Sequence, residues 1–136
     1  MTDFKAALAA GLTKAHQINL NKQQVDDKFD QISKMLYDGT SGAVGLVFSD
    51  NVTHNETFIG NKVQNVHAVS QIDTSIGTKI ATVIRNQDSG YPVTIESPHY
   101  RFVCSSVEEI EVAFSEIVQM NTVANAIFSL CNIKTS

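Results

Sequence analysis

Two short alternating runs followed at once by a capped helix constrain this chain more than any other stretch. Tyr91, Val93 and Ile95 alternate with Pro92, Thr94 and Glu96, and beyond Ser97-Pro98 a second alternation puts Tyr100, Phe102 and Cys104 on one face. The pattern predicts a β-hairpin. Ser105 and Ser106 each stand three residues before a glutamate, Glu108 or Glu109, the spacing at which a hydroxyl and a carboxylate satisfy the free N–H groups of a helix start. Val107, Ile110, Phe114, Ile117 and Val118 then recur at helical spacing. After Met120, Asn121-Thr122 marks a break before a last segment with Val123, Ala124, Ile127, Phe128, Leu130 and Cys131, which carries no charge up to Ile133. Such a helix needs cover on more than one side, so Val123, Ile127, Phe128 and Leu130 form a candidate interface.

Towards the N-terminus, Phe4, Ala7, Leu8, Leu12 and Ala15 form a helical stripe that Asn19-Leu20-Asn21 is expected to interrupt. Asn21 can cap a second helix with Val25, Phe29, Ile32 and Leu36 on its buried face, ending at Asp38-Gly39. Gly39, Gly42 and Gly45 have the spacing of a phosphate loop but the wrong order, because a helix runs into the strand Val44 to Phe48 rather than the reverse. They read as a connector.

Asp50-Asn51 is expected to turn the chain into a strand from Val52 to Ile59, and Gly60-Asn61 is a two-residue hairpin turn. Counting outward from that turn sets His54 opposite His67, with Glu56 on the same face. Two imidazoles and a carboxylate are a zinc-hydrolase ligand set, so His54, Glu56 and His67 form a candidate metal site. Histidines on half-exposed strands are more often ordinary polar residues.

From Val66 to Arg85 the apolar residues fit a strand at even positions or a helical stripe equally well. The β-branched content and interior Gly77 favour two strands joined near Thr74 to Gly77. Read instead as a helix, the segment yields the order helix, three strands, helix, two strands, helix. That order, with the small size and acidity, resembles the small acidic type III secretion chaperones, and the resemblance implies a cytosolic, dimeric, non-enzymatic protein.

Other polar residues read as structural. Asp88-Ser89-Gly90 resembles the aspartic-protease triplet, but one copy preceded by Gln87 fits a turn. Cys104 and Cys131 lie in apolar settings and read as free thiols, and no metal-ligand spacing accompanies them. The net charge of -4 leaves no basic cluster that could neutralise phosphates, which argues against nucleic acid as a partner. No apolar run approaches the roughly 20 residues that span a bilayer, and Asp3 stands where a secretory signal needs positive charge, so no membrane partner and a cytosolic location are expected.

The 136 residues, 43% of them hydrophobic, suffice for one α+β domain. Residues 1–38 are expected as a helical pair, 43–104 as a mainly antiparallel sheet of five or six strands, and 105–131 as a C-terminal helix packed on the sheet, broken near 121. The functional expectation is a small cytosolic, non-enzymatic protein-binding or self-associating module of bacterial or mobile-element origin. It would be a homodimer with no catalytic residues and no cofactor. The competing reading is a metal-dependent enzyme or ligand binder around His54, Glu56 and His67. Metal analysis separates them: the first predicts purified protein without stoichiometric zinc, and one zinc per chain would establish the second.

Overall fold

A computed structural model describes residues 3–52 and 61–133. The chain runs α1 (Phe4–Gly39), β1 (Val44–Asp50), β2 (Lys62–Ser70), β3 (Gly77–Arg85), β4 (Val93–Glu96), β5 (Arg101–Cys104), α2 (Val107–Gln119) and α3 (Asn121–Cys131). The five strands described form an antiparallel sheet in chain order, β1-β2-β3-β4-β5. Helices α1, α2 and α3 pack against one face of it. The α+β architecture is the one expected.

The expected N-terminal helical pair is a single helix of 36 residues. Asn19 and Asn21 each cost only a few tenths of a kcal/mol more than a good helix former, and Asn21 is given other work. It accepts a hydrogen bond from Gln17 Nε2 at 3.0 Å, and its own amide donates to the Ser89 carbonyl at 3.2 Å. The helix ends where Ser41 (φ 56°) and Gly42 (φ 83°) take left-handed conformations, with Gly42 N–H donating to the Tyr37 carbonyl at 2.7 Å.

Only the second half of α1 is built into the body. Val25, Phe29 and Ile32 are buried with Val44, Val66, Ile95 and Ile110 in the core, whereas every residue from Phe4 to Gln17 is exposed. Two ion pairs hold the docked half: Lys28 Nζ to Glu111 Oε1 at 3.2 Å, and Arg85 Nη2 to Asp26 Oδ1 at 2.7 Å.

The stretch from Val66 to Arg85 is two strands, joined by a turn in which Ser70 Oγ accepts from the Ile72 and Asp73 N–H groups. Among the described residues the order is therefore helix, five strands, two helices. The helical reading, and the element order on which the secretion-chaperone resemblance rested, are not found. The even-position face is broken by a bulge: Val66 pairs with Ala81 but His67 with Lys79, so Ile80 is the extra residue. Ile80 and Ala81 both enter the core, while Ile84 falls on the opposite face with its partner Val63.

The β4–β5 hairpin has the expected register, Ile95 opposite Phe102 and Val93 opposite Cys104. Ser106 Oγ accepts from Glu109 N–H at 3.3 Å, and the Glu109 carboxylate reaches back to Ser105 N–H at 2.7 Å. The C-terminal helix is two helices, α2 and α3, divided at Met120.

Two substitutions test this packing by chemical denaturation. Phe114, 3% exposed and edge-to-face with Phe29 at 6.0 Å, should lose about 3–5 kcal/mol as Phe114→Ala. Gly90 has φ 83°, and a Cβ there would meet Asn21 Cβ at 2.9 Å, so Gly90→Ala should cost about 1–3 kcal/mol. A wild-type midpoint for either would contradict the arrangement.

Candidate functional site

Helix α2 buries Ile110, Ala113, Phe114 and Ile117, and α3 buries Val123 and Leu130. Each helix then has a second apolar edge turned away from the sheet: Val118 on α2, and Ile127 and Phe128 on α3. The last turns of α1 run beside them with Met35 and Leu36. Between the three helices lies an open groove of about 540 Å³, walled mainly by these side chains and edged by Glu111 and Ser115. Phe128 is 69% exposed and Met35 45%. At one end Gly39 leaves the groove wide, since a Cβ built there meets nothing within 4 Å.

The four residues grouped from the sequence therefore separate. Val123 and Leu130 belong to the core, Ile127 is half-buried on the groove wall, and Phe128 stands out at its rim. Val118 continues the α2 stripe that is otherwise largely buried and is 37% exposed, and Met35, beside Leu36 on α1, lay outside the stripe read there. Phe4, Leu8 and Leu12 also read as a buried stripe and are exposed at 76%, 49% and 62%. The small residues Ala6, Ala7, Ala9, Ala10, Gly11 and Ala15 around that stripe leave it little bulk to bury.

His67 lies between Val47 on β1 and Lys79 on β3. Both of its strand neighbours in the described sheet are therefore β1 and β3. His54 and Glu56, with most of the strand expected from Val52 to Ile59, lie outside the described residues. Among the described residues no group of three His, Cys, Asp or Glu side chains is placed to hold a metal ion. Asp88-Ser89-Gly90 forms a turn in which Asn86 Oδ1 accepts from the Asp88 and Ser89 N–H groups. Ser89 Oγ donates to the Tyr91 carbonyl.

Two smaller hollows are polar. In one, between α1 and the start of α2, Lys28 is held by Gln31 and Glu111, and the Tyr91 hydroxyl donates to Gln24. Burial, with Glu108 adding, raises the Tyr91 pKa. In the other, Lys22 and Lys62 flank the Arg85–Asp26 pair. The polar side chains lining the apolar groove are Thr40, Glu111 and Ser115, with the Cys131 thiol. No helix among the described residues is long and apolar enough to cross a membrane. No known protein family, curated protein or solved structure matches this chain.

Both cysteines are free thiols, Cys104 buried and Cys131 half-buried on the groove wall. Burial, with Glu109 adding, pushes the Cys104 thiol up from 9.0 to about 11. The folded protein thus holds this proton to higher pH than the unfolded chain. The resulting stability is complete below about pH 9 and is lost as pH rises through about 11. At pH 8 the Cys104 thiolate is about one part in a thousand, so a thiol reagent followed by mass spectrometry should leave Cys104 unmodified until the protein is denatured. Native labelling of Cys104 would contradict its placement.

Proposed function

We propose that this protein is a small, non-enzymatic binding module that recognises protein through the groove of α1, α2 and α3 and pairs with a second copy of itself. The observation that carries the reading is the groove itself: a continuous apolar surface with Phe128 and Met35 raised at its rim. Each large apolar side chain gains about 1.5–3 kcal/mol when it is fully buried. Closing the groove therefore supplies several kcal/mol, enough to drive association. Identical chains most often pair about a two-fold axis, so the simplest closed assembly is a homodimer.

Light scattering tests this directly. The wild-type protein at micromolar concentration should have twice the 14.8 kDa mass of one chain. Phe128→Asp should bring it to one chain that still unfolds cooperatively and has lost only the stability that association supplied, because Phe128 adds little to the core. A wild-type mass of one chain would overturn self-association.

A further inference from the structure

The groove has a counterpart on the same chain. At 1.5 Å per residue α1 is about 54 Å long, and about 25 Å of it stands N-terminal to Asn21, where the helix touches the Ser89-Gly90 turn. This arm exposes Phe4, Leu8 and Leu12 at four-residue spacing, with alanines between them. A helix of that length is marginal in water without packing. The arm therefore needs a surface, and the groove needs an occupant.

Charge says which surface fits. From Phe4 to Leu20 the arm carries Lys5 and Lys14 and no acid, with Asp3 capping its start. Helices α2 and α3 carry Glu108, Glu109, Glu111 and Glu116 and no Lys or Arg. Glu111, which also pairs with Lys28, lines the groove, and Glu108 one turn before it lines the neighbouring hollow. A lysine-bearing apolar helix is thus complementary to an apolar groove with an acidic edge. The arm cannot fold back into its own groove, because both belong to one continuous helix, α1, that points the arm away.

Resting on the self-association reading above, we infer that the occupant of the groove is the N-terminal arm of a second copy, exchanged reciprocally. Two α1 helices laid antiparallel about a two-fold axis at Leu20, itself 43% exposed, bring together positions whose numbers add to about 40. Phe4 of the second copy then comes level with Leu36, and its Leu8 level with Ile32, beside the groove. An arm about 25 Å long and about 10 Å wide covers about 250 Å² of each surface. Two reciprocal arms bury about 1,000 Å² in total, the lower bound for a specific interface.

Complementation between two variants tests the exchange. Leu8→Asp spoils the arm and Phe128→Asp spoils the groove; both side chains are exposed, so each variant should keep a folded body and lose no more helical circular dichroism than the freed arm contributes. By sedimentation, each alone should be monomeric, with the dimer dissociation constant raised at least about 100-fold. Their mixture should recover a heterodimer, weaker than wild type, because one intact arm still meets one intact groove. A dimeric wild type whose two variants fail to complement would mean that each surface meets its own mate. That result, or a Leu8→Asp protein as dimeric as wild type, would overturn the exchange and leave self-association standing. A monomeric wild type would overturn both, and capture of its arm by anionic vesicles would then assign the arm to a membrane surface.

Discussion

Phe29 joins three parts of the protein that have no covalent reason to stay together. Its ring lies 5.1 Å from that of Phe48 on β1 and 6.0 Å, edge-on, from that of Phe114 on α2, and the Arg85 guanidinium of β3 sits 5.6 Å from its centroid. Each aromatic pair contributes about 0.5–1.5 kcal/mol beyond the area it buries. Arg85 is at the same time held by Asp26, one turn earlier on α1, so one residue of the sheet engages the helix both by stacking and by charge. With Val25 and Ile32 on either side, this contact sets how far along α1 the body reaches. The helix N-terminal to Asn21 projects, and the groove opens at its C-terminal end.

What the amino acids disclose depends on how local the determining interaction is. The β4–β5 hairpin, the Ser106–Glu109 cap, the division near Asn121 and the turn at Asp88-Ser89-Gly90 are decided within a few residues, and all are legible in the sequence. The choice of two strands for Val66 to Arg85 follows from β-branched side chains and Gly77, against a periodicity that favours neither form. Two other features are set by distant partners. Asn21 looks like a cap and is an interior helix residue because its amide reaches Ser89, 68 positions away. Ile80 and Ile84 read as one face of a strand and lie on opposite faces because a bulge against Val66 and His67 shifts the count.

The candidate site shows the same limit more sharply. An uncharged segment from Asn121 to Ile133 announces that α3 needs cover, but hydropathy cannot apportion that cover between the sheet and another molecule. The sheet takes Val123 and Leu130, and Phe128 is left outside. The stripe Phe4, Leu8, Leu12 has the spacing of a buried face and no body beneath it, a fact that depends on where the five-stranded sheet ends. An amphipathic helix outruns its own domain on a chain with an open apolar groove, and the proposed exchange between two copies would cover both exposures.

That arrangement makes the order of the arm depend on association, and hydrogen exchange reads it residue by residue. The amides of residues 4–20 should be protected at high protein concentration and lose protection on dilution below the dimer dissociation constant. Those of residues 25–36, held by the contacts of Phe29, should stay protected throughout. Arm protection that does not change with concentration, or an arm that exchanges freely in a sample proven dimeric, would contradict the account.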